Sequence, residues 1–291
     1  MGEPLETGSP RTAEFTVLLP VYRGDRAEFV AAAYRSVTTE QTLPPTFVVI
    51  VQDGPVGEEL ATLLGALAGN PGTTLVPLPE NRGLSIALNV GLGLITTEIV
   101  ARADADDICL PERFATQVPI IAAGADLVGS AIVEFESDPA ERGEVRNVEI
   151  DPARIALQAR WKSPFNHPSV VYRRSAVLAV GGYREMPQIE DYLLWAAMLQ
   201  AGAVVANCPE ALVCYRIGAG AYGRRGGRQL FRSELALQRE FRRIGFTTRA
   251  QWLRNVVLRG AYRLVPQWLR QSAYRWHLNR KPAPHPDASR G

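Results

Sequence analysis

Apolar and polar segments alternate regularly through the first hundred residues of the chain. Four short apolar runs predict buried strands, at 15–21, 46–54, 73–78 and 98–103. Three intervening stretches with apolar residues at helical spacing predict helices, at 27–38, 58–68 and 85–94. Strands that alternate with helices through short loops are typical of an α/β fold, in which helices flank a mostly parallel central sheet.

The pattern is less regular in the second half of the chain. It predicts helices at 111–122, 152–160 and 190–201. It predicts strands at 126–135, 204–207 and 211–216. A loop rich in Gly and Arg, at 218–230, then leads into a basic segment with helical spacing, in which Pro266 separates two predicted helices.

The residues that do not fit an apolar sheet fall at the ends of three predicted strands. In an open α/β sheet, ligands bind beyond the carboxyl ends of the strands. We therefore expect the following residues to form one site: Pro20, Val21, Tyr22, Asp53, Asp104, Ala105 and Asp106.

The stretch from Asp104 to Asp107 holds three carboxylates within four residues, and anions packed so closely repel one another. A divalent cation, Mg²⁺ or Mn²⁺, would offset that repulsion, because both ions prefer oxygen ligands. Such an ion also keeps coordination positions open for the phosphates of a substrate. The alternative is that Asp107 caps the next helix while Asp104 and Asp106 are simply solvated.

Composition changes this picture mainly through the distribution of charge. The net charge is only +2, but residues 1–214 carry 15 Lys and Arg against 27 Asp and Glu, whereas residues 215–281 carry 16 against two. A basic segment behind an acidic body predicts an anionic partner surface. The three cysteines lack the spacing of a disulfide framework or a zinc site. The sequence also lacks the apolar run that a membrane span needs.

Several ordered motifs resemble those of the family 2 glycosyltransferases, which have a GT-A fold. The motifs are "LLPVY" (18–22), "VQDGP" (51–55), "ENRGLSIALNVGL" (80–92), "DADD" (104–107), and "GGY" (181–183) followed by "IEDYLLW" (189–195). The resemblance covers residues 15–215. More narrowly, "SPFNHP" (163–168) and "GAYGRRGG" (220–227) resemble the amylovoran and capsule-type enzymes that extend lipid-linked sugars.

This resemblance implies a binding site for a nucleotide sugar, with UDP as the expected nucleotide. Asp53 is expected to contact the uracil edge, although Gln52 replaces the first Asp of the family's D-D-G-S turn. Asp104 is expected near the ribose and the metal, and Asp106 on the metal, which is Mn²⁺ or Mg²⁺. The other residues expected at the donor are Pro20, Val21, Tyr22, Arg82, Gly83, Asn89 and Ala105.

On the acceptor side, the resemblance makes Asp191 the expected catalytic base of an inverting transfer. A carboxylate beside the acceptor takes the proton of the attacking hydroxyl, and with an ordinary pKa near ~4 it is ionised at neutral pH. The alternative is that Glu190 and Asp191 only stabilise the start of a helix. The other residues expected to contact the acceptor or its diphosphate are His167, Gly182, Tyr183, Glu190, Arg224 and Arg225.

The basic segment beyond residue 217 predicts how the enzyme reaches its acceptor. Basic amphipathic helices with Trp and Tyr lie in the headgroup region of anionic membranes. We therefore expect a peripheral enzyme on the inner, cytoplasmic face of the cell membrane, acting on a saccharide linked to polyprenyl diphosphate. The alternative is a helix that packs on the domain. Nucleic acid is not an expected partner, because no recognised reader motif accompanies the charge.

These expectations define the predicted organisation of the chain. Residues 1–14 form a disordered lead, and 15–217 form the GT-A domain, with a nucleotide-binding half up to about residue 107. Residues 218–281 form the loop and the basic tail, followed by a disordered end at 282–291. Two alternatives to a transferase that adds one sugar remain open: a sugar-phosphate nucleotidyltransferase and an inactive membrane scaffold.

Overall fold

The computed structural model describes residues 13–186, 188–217 and 228–264. In the first half, the elements are β1 (Phe15–Tyr22), α1 (Ala27–Ser36), β2 (Phe47–Asp53), α2 (Glu58–Ala68), β3 (Thr73–Pro77), α3 (Leu84–Leu94) and β4 (Ile99–Arg102). The second half adds β5 (Ile108–Cys109), α4 (Arg113–Ala122), β6 (Leu127–Phe135), β7 (Val145–Arg146), α5 (Pro152–Gln158), a 3₁₀ helix (His167–Ser169), β8 (Val171–Arg173), α6 (Arg174–Ala179), α7 (Glu190–Gln200), β9 (Val205–Arg216), α8 (Arg228–Arg243) and α9 (Arg249–Leu264).

A single curled sheet organises the described chain. Its strands follow the order β3-β2-β1-β4-β8-β6-β9-β5, and β7 pairs with β6. The four strands of the first half are parallel to one another, whereas β8 runs antiparallel to β4. The central strand β1 is buried along its length except at Tyr22, which is what its continuous apolar sequence predicts.

Close packing of α3 on the sheet depends on a small residue. A Cβ atom on Gly91 would lie 2.3 Å from the Cδ1 atom of Leu18 on β1. The helix therefore sits closer to β1 than any larger residue would allow. Because α3 begins at the edge of the sheet where β1 and β2 end, this packing fixes one wall of the cleft described below.

The predicted elements of the first half are confirmed, with ends that differ by one or two residues. In the second half, the two predicted strands 204–207 and 211–216 are one strand, β9, which pairs with β6 through a bulge between Ser130 and Ile132. Five short elements were not predicted: β5, β7, the 3₁₀ helix, β8 and α6. The predicted break at Pro266 lies outside the described residues.

Helix α8 is packed against the preceding domain. Its side chains Leu237 and Phe241 are buried in a cluster with Met186, Ile189 and Tyr192. This burial agrees with the alternative in which the basic segment packs on the domain, at least for α8. No helix among the described residues is long and apolar enough to cross a membrane.

Candidate active site

A cleft of about 380 Å³ opens where β1, β2 and β4 end. Parallel pairing places Tyr22 beside Asp53, and Arg102 beside Leu18, so these strands present their carboxyl ends on one side. Every predicted donor residue lines this cleft except Arg82 and Asn89. The complete lining is Pro20, Val21, Tyr22, Asp25, Asp53, Asn81, Gly83, Leu84, Ala87, Asp104, Ala105 and Asp106.

Asp53 builds one wall of the cleft by holding the loop in front of α3. The backbone N–H of Arg82 donates to its Oδ1 atom at 2.7 Å, and the backbone N–H of Gly83 donates to Oδ2 at 2.9 Å. The Asn81 side chain also donates to Oδ2, at 2.9 Å. Because each carboxylate oxygen accepts two hydrogen bonds, Oδ1 keeps one position for a ligand. Gln52 donates to the carbonyl of Gly54 at 2.9 Å and so stabilises the turn after β2.

Asn89 connects the donor half of the site to the acceptor loop, a different role from the expected one of lining the donor cleft. Its Nδ2 atom donates to the Tyr183 carbonyl at 2.7 Å, and its Oδ1 atom accepts from the Tyr183 N–H at 2.9 Å. Both polar ends of the side chain are therefore used to hold the loop at Gly182 and Tyr183. Arg82 contributes its backbone N–H to Asp53, as described above.

Gly182→Ala is expected to slow sugar transfer severalfold by breaking this connection. Gly182 has a φ of 69°, and a Cβ atom there would lie 2.5 Å from Asn89 Oδ1. Gly181→Ala is the matched control, because Gly181 has a φ of 89° but open space around the added Cβ. Each variant bears backbone strain of about 1–2 kcal/mol, but only Gly182→Ala displaces Asn89. Equal transfer rates in the two variants would contradict this role for Asn89.

A buried cation, Arg102, lies next to the acidic motif. Arg102 is 2% exposed at the end of β4, and both of its terminal nitrogens pair with the Asp104 carboxylate. Burial lowers the pKa of Arg102, but the charge and hydrogen bond of Asp104, together with the charges of Tyr183 and Asp107, outweigh burial, and the pKa is raised overall. The acidic motif therefore contains its own fixed countercharge, which the sequence analysis did not identify.

Even with Arg102, the cleft carries an excess of negative charge. Burial, followed by the charge of Asp104, raises the pKa of Asp106. Burial also raises the pKa of Asp25 to about 7, and the charges of Asp106 and Asp104 add to that shift. Burial and the same two charges raise the pKa of Asp107 well above its usual range. A bound cation would relieve these repulsions, so the residues present fit a divalent metal.

The donor set also fits a metal that is completed by substrate. Among the described residues, no group of three or more His, Cys, Asp or Glu side chains could hold an ion. Two carboxylates facing an open cleft are instead the arrangement that Mg²⁺ and Mn²⁺ use when substrate phosphates supply further ligands. Asp104 and Asp106 both line the cleft and are only partly buried.

Asp107 fixes the acidic motif to the end of β9. Its Oδ1 atom accepts from the backbone N–H of Arg216 at 2.8 Å, so Asp107 does not cap the following helix. The Arg216 side chain donates to the carbonyl of Asp106 at 2.9 Å and stacks over the ring of Phe29 at 3.8 Å. These contacts join the end of β9 and helix α1 to the acidic motif that follows β4.

Glu190 and Asp191 begin helix α7, as the sequence predicts. Burial, followed by the charge of Glu190, raises the pKa of Asp191 to about 7, so the expected ordinary pKa is wrong. Burial also raises the pKa of Glu190. The charge of Arg102 lowers this pKa, and the charge of Asp104 raises it. This coupling places the two carboxylates within electrostatic reach of the acidic motif.

His167 and Tyr183, both predicted acceptor residues, form an aromatic pair in which Tyr183 is buried and His167 partly buried. The His167 Nε2 atom lies 3.1 Å from the Tyr183 hydroxyl, and both rings contact Trp195 edge-on. Burial, with a contribution from Arg102, lowers the pKa of His167 well below its usual value, so the imidazole is neutral. Tyr183 is 3% exposed, so its ring supports the loop from below, and a direct contact with the acceptor stays a prediction.

The two remaining acceptor candidates, Arg224 and Arg225, lie outside the described residues. The predicted site residues did not include four residues that line the cleft, Asp25, Asn81, Leu84 and Ala87, nor the buried Arg102 next to it. Arg102 carried a signal, because a charged residue inside the apolar run "EIVARA" needs a partner when buried. Asn81 also carried a signal, because it lies in the motif at 80–92 that resembles the family. Asp25 lies in a loop, where polar residues are ordinary, and nothing in the pattern separates it from its neighbours.

The curled sheet with a cleft at its strand ends is the GT-A fold, as comparison with solved structures shows. A mannosyltransferase from Pyrobaculum calidifontis, in complex with GDP-Man and Mn²⁺, superposes with a TM-score of 0.62 at 18% identity, over 94% of this chain and 78% of its own. TarS 1–349 from S. aureus, in complex with UDP-GlcNAc, gives a TM-score of 0.63 at 16% identity over 78% of this chain. The present chain spans 66% of that TarS chain.

The chain belongs to the family described as "Glycosyl transferase family 2", whose sequence model matches residues 16–181. It is 37% identical to the amylovoran biosynthesis glycosyltransferase AmsE of Erwinia amylovora, over 77% of this chain and 84% of the relative. It is 32% identical to the UDP-Gal:alpha-D-GlcNAc-diphosphoundecaprenol beta-1,3-galactosyltransferase of Escherichia coli, over 94% and 99%. The protein is therefore a glycosyltransferase with relatives in the synthesis of polysaccharides and lipid-linked saccharides.

Proposed function

We propose that this enzyme transfers one sugar, with inversion, from a UDP-sugar to a saccharide carried on a polyprenyl diphosphate. The observation that carries the proposal is the cleft at the strand ends, which Asp104 and Asp106 line. The charge of Asp104 acts on Glu190, and the charge of Arg102 acts on both Glu190 and Asp191. The proposed nucleotide site and the buried candidate base are therefore close enough for their charges to interact. The names of the Escherichia coli relative and of the TarS complex support the choice of UDP and of a lipid-linked acceptor.

The donor would lie across the strand ends with its base against the β1 and β2 wall. Pro20, Val21 and Tyr22 provide the apolar side of that wall. The free position on Asp53 Oδ1 suits a base N–H, such as that of uracil. The diphosphate would then reach towards Asp104 and Asp106, which would hold it through Mn²⁺ or Mg²⁺. Such an ion stabilises charge that develops on a departing phosphate.

The acceptor would approach from the side of α7 and the 181–189 loop. Asp191, with its pKa raised to about 7, suits a general base at neutral pH, because a base works best when its pKa lies near the working pH. It would take the proton from the attacking hydroxyl as the bond to the sugar forms. Glu190 would tune that pKa and orient the acceptor. The acceptor's lipid tail implies a peripheral enzyme on the inner, cytoplasmic face of the membrane.

Asp106→Asn is expected to weaken Mn²⁺-dependent binding of UDP at least about tenfold, since even changes beside metal ligands cost that much. Calorimetric titration of UDP, with and without Mn²⁺, measures this without any turnover. Glu59→Gln is the matched control, because Glu59 is exposed on α2 outside the cleft. A panel of nucleotide sugars with Mn²⁺ and a membrane extract then identifies the donor. Equal Mn²⁺ dependence in Asp106→Asn and the parent would remove Asp106 from the metal site.

A further inference from the structure

A second surface of the protein combines exposed apolar side chains with exposed positively charged side chains. On α9, Leu253, Val257 and Leu258 are 57%, 56% and 63% exposed. At the end of α5 and in the turn after it, Leu157 and Trp161 are 66% and 49% exposed. We call these five residues, with the exposed cations Arg154, Lys162, Arg249 and Arg254, the α5–α9 face.

Helix α9 is fixed beside the turn after α5 by hydrogen bonds. The Asn255 side chain is buried and donates to the carbonyl of Arg160 at 2.7 Å. The Arg160 side chain donates in turn to the carbonyl of Phe246 at 2.8 Å, just before α9. Leu157 and Trp161 from the α5 side, and Arg254 from α9, line a shallow groove of about 410 Å³ between the two helices.

We propose that the α5–α9 face is the surface by which the enzyme docks on an anionic lipid bilayer. Among the described residues that line its groove, Glu149 is the single acid, against Arg154, Arg160 and Arg254. Aliphatic side chains and a Trp surrounded by cations match the boundary between acyl chains and anionic headgroups. The two helices of the basic segment differ in burial. Helix α8 buries apolar side chains against the domain, whereas the apolar side chains on this side of α9 are exposed.

This inference rests on the proposed function in one respect, the lipid carrier of the acceptor. Ala159, just after α5, belongs to the same buried cluster as Met186 and Ile189 of the acceptor loop. Tyr192, next to Asp191, donates to the carbonyl of Ala159 at 2.8 Å. The α5–α9 face is therefore joined to the acceptor side of the site by direct contacts, so docking there would bring the lipid-linked saccharide to the base.

Flotation of the full-length protein with vesicles tests the apolar part of the face. The triple variant Leu157→Gln, Leu253→Gln, Val257→Gln is expected to bind vesicles of phosphatidylethanolamine and phosphatidylglycerol at least about tenfold more weakly than the parent. Gln keeps a good helix propensity, so the helices are retained. The matched control is Leu94→Gln, Leu178→Gln, Val204→Gln, three residues of the same types that are exposed elsewhere. Equal binding by the face variant and the parent would overturn the proposal.

Neutralising the cations tests the choice of an anionic bilayer. Arg154→Gln with Arg254→Gln is expected to weaken binding to the anionic vesicles about thirtyfold, because each cation near such a surface contributes about a factor of five. Binding to vesicles of phosphatidylcholine alone should be weak for the parent and change little in the variant. If the parent binds the neutral vesicles more tightly than the anionic ones, the positive charge of the face does not select an anionic bilayer, and the proposal is wrong.

A fluorescent label shows directly what covers the face. Cys109, Cys208 and Cys214 are buried, so a polarity-sensitive thiol dye can be directed to Leu253→Cys, with Val204→Cys as the control site. The dye at position 253 is expected to shift to the blue when anionic vesicles are added, and the control dye is not. An emission at position 253 that is already blue without vesicles would assign the face to residues 265–291 or to a second copy, against the proposal.

Transfer assays separate the failure of this inference from that of the proposed function. With a short-chain acceptor in the absence of vesicles, the Leu157, Leu253 and Val257 variant is expected to match the parent. With the acceptor embedded in vesicles, it should be at least about tenfold slower at limiting enzyme. A parent that binds vesicles but transfers no sugar would refute the proposed function alone. A variant that matches the parent in both assays would refute the docking surface alone.

Discussion

Asp191→Asn is expected to slow sugar transfer by about 10²–10⁴-fold, the usual contribution of a general base. The amide keeps the shape of the carboxylate but cannot take the proton of the attacking hydroxyl. Donor binding should stay within about twofold of the parent, because Asp191 does not line the cleft proposed to hold the donor. Initial rates at saturating donor, together with calorimetry of UDP, measure the two quantities separately.

Glu190→Gln provides the comparison for this result. It removes the neighbouring charge but leaves the base in place, so its loss of rate should be much smaller than that of Asp191→Asn. If the two variants lose the same activity, the pair acts together in orienting the acceptor and no single base can be assigned. Unchanged transfer by Asp191→Asn would exclude it as the base.

The pH dependence of transfer by the parent enzyme is expected to follow the ionisation of Asp191. Burial and the charge of Glu190 raise the pKa of Asp191 to about 7, so the free enzyme holds its base protonated below that pH. The value of kcat/KM is therefore expected to rise with pH and to level off above about 7. Glu190→Gln removes one of the two causes and should move this limb to lower pH. If kcat/KM of Glu190→Gln rises over the same pH range as that of the parent, the rise does not report the ionisation of Asp191.

Sequence patterns predicted the first half of the fold because that half is built from complete periodic elements. Each strand from β1 to β4 is an apolar run, and each intervening helix has a regular apolar side. Elements such as β7, with two residues, are too short to carry a period. Pro209 interrupts the pattern of β9, where it lies in a bulge between the residues that pair with Ser130 and Ala131 of β6. That bulge is a property of the pairing between the two strands, which the sequence of β9 alone does not contain.

The same contrast applies to the site. Motifs at strand ends predicted which residues line the cleft, because the ends of adjacent parallel strands must meet. The roles within the site depend on burial and on partners that are distant in sequence. Asn89 holds Tyr183, 94 residues further along the chain, and Asp107 accepts from Arg216, 109 residues away. The raised pKa of Asp191 also follows from burial, which only the folded chain creates.

Arg102→Met is expected to lower the free energy of unfolding by about 3–5 kcal/mol, the usual cost of removing one partner from a buried ion pair. The aliphatic part of Arg102 is replaced by a side chain of similar length, so the main loss is charge. Asp104 would then lie beside Asp106 and Asp107 without the buried cation that lowers the pKa of both. Urea unfolding measures the change, and binding of UDP with Mn²⁺ reports on the cleft.

A second substitution identifies the electrostatic origin of this loss. Adding Asp104→Asn to Arg102→Met removes the unpaired charge and should recover part of the stability, giving a clear coupling in a double-mutant cycle. Lowering the pH should also recover part of the stability of Arg102→Met. The pKa values of Asp106 and Asp107 are raised in the folded state, so the folded chain binds these protons more tightly than the unfolded chain does. Loss of Arg102 raises both pKa values further. The stability of Arg102→Met is therefore expected to rise as the pH falls. The deficit relative to the parent should therefore be larger at about pH 8 than at about pH 5.5. A deficit that is independent of pH, with no coupling to Asp104, would mean that Arg102 stabilises the end of β4 by packing and not by its charge.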